Sequence, residues 1–150
     1  MSARGKARKR ALDILFEAEL RGLDPLVTLG VRTEDADPPV REYTKVLVEG
    51  VRAHAEAIDQ RISGAGAKGW SLQRMPRVDR NAVRIAVFEI DHLDVPDAVA
   101  VSEAIALVSD LSTDDSPAYV NGLLGKIIST KVGSAESHAG PPGAGPLVQS

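Results

Sequence analysis

Five cations fall within the first ten residues, Arg4, Lys6, Arg8, Lys9 and Arg10, with no acid among them. Guanidinium and ammonium groups at this density suit the neutralisation of closely spaced anions such as backbone phosphates, with release of counterions. A helix N-terminus already carries about half a positive charge, so each cation there is unfavourable by ~0.3–1 kcal/mol before screening. Five of them should destabilise or fray the first turns of a helix unless an anionic partner offsets them. From this segment alone, nucleic-acid binding, simple solubility and an acidic protein partner all remain open. The net charge of −3 says little about partners, because the acids gather elsewhere, at Glu34, Asp35 and Asp37 and again at Asp110, Asp114 and Asp115.

Other arrangements that could do chemistry lack their context. Gly64-Ala65-Gly66-Ala67-Lys68-Gly69 fits the spacing of a dinucleotide loop, but it follows a helical pattern where a strand is required, and reads as a loop. Glu89, Asp91, His92 and Asp94 form no ligand set of standard spacing, and a histidine near a helix C-terminus suits the helix dipole. No cysteine is present, which removes disulfides, thiolate metal sites and a cysteine nucleophile, and fits a reducing compartment. No nucleophile elbow occurs, and no Ser, His and Asp have a reason to converge. The reading is therefore a non-enzyme without metal or cofactor. Aromatic residues are only 3% of the chain, too few for an aromatic RNA-binding sheet. Tyr119, near a helix start in a polar stretch, suits either a core position or base stacking.

The elements that must hold these residues read as helices throughout. Ala11, Ile14, Leu15 and Ala18 form one face of a helix from about residue 5 to 21, with Gly22 just past its end. Asp24-Pro25 opens a short second helix through about Val31. Thr33 to Pro39 reads as a linker. One long helix is then expected, with a stripe of Tyr43, Leu47, Val51, Ala55, Ile58 and Ile62, stopping at Ser63-Gly64-Ala65-Gly66. Ser71 caps a short turn, and Pro76 starts the most apolar helix, which belongs at the centre because it is apolar on most sides. Val101, Ala104, Ile105 and Val108 mark the next helix, and Val120, Leu123, Leu124, Ile127 and Ile128 the last. Residues 133–150, rich in Gly, Pro and Ser, read as a disordered tail. At 150 residues the chain suits one compact domain or two closely packed helical halves, and can bury about 70% of its unfolded surface. No apolar run reaches the ~18 residues of a membrane span. The three acids Asp13, Glu17 and Glu19 speak against a signal peptide.

Arg8-Lys9-Arg10-Ala11-Leu12-Asp13-Ile14-Leu15-Phe16, Trp70 through Pro76, Val78 through Ile90, Val95-Pro96, Ser102-Glu103-Ala104 and Ser112 through Gly122 follow one another in an order and spacing that resembles the NusB family. The resemblance covers roughly residues 4–130. It implies an all-α fold of about seven helices in two packed three-helix bundles over residues 1–132. It implies a cytoplasmic transcription antitermination factor, acting chiefly on ribosomal RNA operons. The implied partners are boxA-type single-stranded RNA, the ribosomal protein NusE and the transcription elongation complex. Arg4, Lys6, Arg8, Lys9 and Arg10 would contact RNA phosphates, with Asp115, Ser116 and Tyr119 on the same RNA surface. Phe16 and Asp79 would lie toward NusE. Replacing Arg8, Lys9 and Arg10 together is expected to weaken RNA binding without unfolding the domain. Arg84 is expected to pair with Glu89 or Glu103, because a charge in so apolar a helix needs a partner. The competing reading is a helical protein–protein adaptor or homodimer that does not touch RNA.

Overall fold

A computed structural model describes residues 1–35, 39–66 and 71–139, with side chains described as far as residue 130. Among these residues there are seven α-helices and no strand. They are α1 (Ala3–Arg21), α2 (Pro25–Asp35), α3 (Glu42–Ala53), α4 (Ala55–Ala65), α5 (Arg77–His92), α6 (Asp97–Leu111) and α7 (Ser116–Ala139). A short 3-10 turn, Leu72–Arg74, precedes α5.

Local chemistry accounts for most boundaries. The Ser2 hydroxyl accepts the Gly5 N–H at 2.9 Å and closes the first turn of α1, so the crowd of cations there does not prevent the helix from starting. At its other end Gly22 takes a φ of 68°, which a side chain would oppose, and the Leu23 N–H reaches the Ala18 carbonyl at 2.9 Å. The Ser71 side chain accepts from the Gln73 N–H and starts the 3-10 turn. Pro76 and Pro96 stand immediately before α5 and α6, where a missing N–H does no harm.

Helices α1, α2 and α3 pack on one another, and α4, α5, α6 and α7 form the second group. The central member is α5, which touches α1, α3, α4, α6 and α7. Val83, Ile85, Val87, Phe88 and Ile90 on it are buried, each contributing about 1.5–3 kcal/mol of transfer free energy.

Three helix boundaries differ from those expected. The single long helix over Tyr43 to Ile62 is two helices, broken at His54, whose backbone sits at φ −110° and ψ 21°. The apolar stripe also breaks there, since Ala55 is exposed while Val51 and Ile58 are buried. The His54 ring stacks on His92 at 3.9 Å and on Phe88 at 5.9 Å, so contacts with α5 hold the break. The second group therefore has α4 as a fourth helix. Helix α2 also runs past Val31 to Asp35, taking up the start of the expected linker. Helix α7 reaches Ala139, beyond the Gly133 boundary read from composition; residues 140–150, Trp70 and Asp37 lie outside the described residues.

Candidate nucleic-acid interface

The basic N-terminus divides into two sets, and helical spacing decides which residue joins which. Arg8 stands three and seven residues before Ala11 and Leu15, so it lies on the buried stripe of α1. It is 3% exposed. Its guanidinium bonds both Glu89 carboxylate oxygens, with Nε at 2.9 Å and 3.1 Å, and reaches Glu103 Oε1 at 3.2 Å. The Tyr43 hydroxyl donates to the same Glu89 carboxylate. Burial, then that bond to Glu89, pushes the Tyr43 phenol up to about 12. The guanidinium of Arg4 lies 4.6 Å from the Tyr43 ring centroid, a cation–π distance. Arg8 thus ties α1 to α5 and α6 from inside, and its guanidinium faces carboxylates rather than solvent.

Lys6, Lys9 and Arg10 turn the other way. Lys6 and Lys9 are exposed and Arg10 half-buried. Spaced at three and four residues, they share one face of α1. With Arg41, which precedes α3, they line a cavity of about 410 Å³. Thr44 of α3 donates its hydroxyl to the Ala7 carbonyl at 2.9 Å and fixes the start of α3 against this face. Asp13 is the one acid in the cavity wall; burial raises its carboxyl pKa, against the opposing charges of Lys9 and Arg10.

A second group assembles where the starts of α5 and α7 meet. The Ser116 hydroxyl, 1% exposed, donates to Asp79 Oδ2 at 2.9 Å and also meets Ser112 and Thr113. Asp79 is 2% exposed, and its Oδ1 has no hydrogen-bond partner among the described residues. These two line a cavity of about 310 Å³ with Arg74, Asp115 and Tyr119. Asp115 is exposed, and Tyr119, at 39%, presents part of its ring to solvent. Asp115, Ser116, Tyr119 and Asp79 are therefore neighbours, while the cavity beside α1 shares no residue with theirs. Phe16 is half-buried on α1 and lines neither.

The expected partners of Arg84 are not the observed ones. Arg84 bonds Asp59 on α4, at 2.9 Å and 3.0 Å, and Glu19 on α1 at 3.1 Å. Five residues along a helix place Glu89 about 140° round from Arg84, and Glu89 is taken by Arg8. Glu19 also receives Arg80 at 2.7 Å and Asn81 at 3.2 Å. Burial alone would raise the Glu19 pKa, but the hydrogen bonds and charges of Arg80 and Arg84 outweigh it and hold the carboxyl below its ordinary range. Among the described residues no three His, Asp or Glu side chains gather as metal ligands, and Asp91 is paired with Arg61. No helix of the described residues is long and apolar enough to cross a membrane.

Sequence reading missed Arg41 and Arg74 as cavity-lining cations and misplaced Arg8. Its position on the Ala11–Leu15 stripe was the available signal for Arg8. Nothing in the local sequence brings Arg41 to α1, since a tertiary contact does so.

Comparison with known proteins agrees with this architecture. The profile of the NusB family matches residues 5–129. A transcription antitermination protein NusB of Nocardioides sp. is 53% identical over 87% of this chain and 97% of its own length. The one from Acidothermus cellulolyticus is 52% identical over 95% and 96% of the two chains. A crystal structure of antitermination factors NusB and NusE in complex with double-stranded RNA superposes with a TM-score of 0.73 at 28% identity, covering 85% of this chain and 96% of that one. With its blocks, its seven helices and these relatives in agreement, the chain belongs to the NusB family of transcription antitermination proteins.

Proposed function

We propose that this protein binds boxA-type single-stranded RNA together with the ribosomal protein NusE, and so serves antitermination on ribosomal RNA operons within the cytoplasmic elongation complex. The observation that carries the reading is the face of Lys6, Lys9 and Arg10, solvated and without an ion-pair partner among the described residues except for the field of Asp13. Three cations on one helix face give phosphates a register without reading sequence. Arg4 stands four residues before Arg8, over the Tyr43 ring and off that face, so a phosphate contact by Arg4 would be a separate one. Tyr119 is an exposed aromatic among the described residues and can take a stacked base, a contact worth about 1–3 kcal/mol. Asp115 and Ser116 would border that base. Phe16 and Asp79 are assigned to the NusE side by resemblance. Arg8 acts from inside, fixing the pitch of α1 through Glu89 and Glu103.

The test is a Lys6, Lys9 and Arg10 to alanine triple variant, read by fluorescence anisotropy against RNA. Each lost contact to a single strand reduces the salt slope by about 0.7, so three reduce it by about 2. The domain should stay folded, because none of the three is buried. Unchanged affinity and slope would count against the reading.

An adaptor or homodimer remains the second reading. Leu20, Leu23, Leu26, Val27 and Val31 are exposed at the end of α1 and along α2, an apolar surface of the kind interfaces use. Light scattering on the isolated protein separates the two: a salt-insensitive dimer that ignores RNA favours the adaptor.

A further inference from the structure

We propose that the cavity between α1 and the start of α3 is a phosphate subsite for single-stranded RNA, in which Arg41 is a fourth cation beside Lys6, Lys9 and Arg10. The inference rests on the RNA-binding reading above and adds a residue outside the N-terminal cluster. Four cations from two separate segments line one cavity of about 410 Å³, with Asp13 as the single opposing charge. The charges that act on Asp13 are those of Lys9 and Arg10. Arg41 is exposed, and its side chain has no hydrogen bond or ion pair among the described residues. Its side chain does not cap α3 either. The Thr44 to Ala7 hydrogen bond holds its backbone against α1, so the guanidinium is carried on a fixed base. Asp13 is one negative charge against four cations, and a bound phosphodiester would supply further counter-charge. Guanidinium suits that role, because its fork can bond two phosphate oxygens at once.

The experiment compares the full-length protein with Arg41→Ala, Arg41→Glu and Arg41→Lys. Binding to a boxA-like RNA and to a scrambled RNA is measured from 50 to 200 mM salt, with and without NusE. Loss of one phosphate contact reduces the salt slope by about 0.7, so the fourfold rise in salt weakens Arg41→Ala about 2.6-fold less than the wild type. Arg41→Ala should weaken both RNAs by the same factor, Arg41→Glu more strongly, and Arg41→Lys should keep the wild-type slope. Melting temperatures should not move, since Arg41 has no internal partner. Wild-type slopes in both Arg41→Ala and Arg41→Glu, with the Lys6, Lys9 and Arg10 triple variant still impaired, would overturn this subsite and leave the RNA-binding reading standing. Absence of RNA binding by the wild type would overturn both.

Discussion

Replacing Arg8 with alanine should damage the fold before it damages RNA binding. Arg8 is 3% exposed and Glu89, its main partner, is 1% exposed. The variant leaves the Glu89 carboxylate buried with the Tyr43 hydroxyl as its remaining side-chain donor. Removing one member of a buried ion pair costs about 3–5 kcal/mol, chiefly because the other charge stays desolvated. Taken over the about 130 described residues, the unfolding entropy is about 0.27 kcal/mol/K, so each kcal/mol is worth about 4 °C and the expected fall in melting temperature is about 11–18 °C. Thermal denaturation followed by circular dichroism reads this directly. Lys9→Ala, one residue away and exposed, should stay within about 0.5 kcal/mol of the wild type. The double variant Arg8→Met with Glu89→Leu should recover most of the loss, because it removes both charges and keeps the volume. An Arg8→Ala melting temperature within about 2 °C of the wild type would refute the buried-pair argument.

Three further outcomes follow from the packing and the titrating groups. Gly50→Ala places a Cβ 1.9 Å from Phe88 Cζ, and overpacking of this kind should destabilise by about 1–3 kcal/mol in a denaturant melt, with Phe88→Leu relieving it. Glu19 has a folded pKa below its ordinary 4.5, so its contribution is present above that pH and lost as pH falls through the folded value; Glu19→Gln should flatten the acid limb of stability, and parallel limbs would contradict this. Tyr43 is the reverse case. Between its ordinary 10.0 and about 12 the unfolded chain releases the phenolic proton first, so stability falls as pH rises across that window. In a Tyr119→Phe variant, the phenolate absorbance should appear near 12, and titration at 10 would contradict it.

Periodicity and capping chemistry made most of the fold legible. The Ala11, Ile14, Leu15 and Ala18 face, the Gly22 terminus, the Ser71 cap and the central place of α5 all follow from local rules that the structure obeys. The break at His54 was hidden, because Tyr43 to Ile62 keeps steps of three and four across it. What holds the break is a contact with His92 and Phe88 on another helix, which no local pattern contains. The candidate site was half legible. A run of cations marks a charged segment, but only the helical phase separates Arg8, turned into the core, from Lys6 and Lys9, turned to solvent. The same limit explains Arg84: its need for a carboxylate was readable, whereas the choice of Asp59 and Glu19 depended on how α4 and α1 dock. Arg8 also explains why a triple alanine variant of Arg8, Lys9 and Arg10 would confuse unfolding with lost binding.

On the proposed reading, a face of this helical domain recognises RNA together with a protein partner. Fluorescence anisotropy tests it most directly, with a boxA-like RNA and a scrambled control, with and without NusE, across a salt series. Binding should be tighter to the boxA-like RNA, strengthened by NusE and weakened by salt. Weak binding, equal for both RNAs and unchanged by NusE, would contradict it.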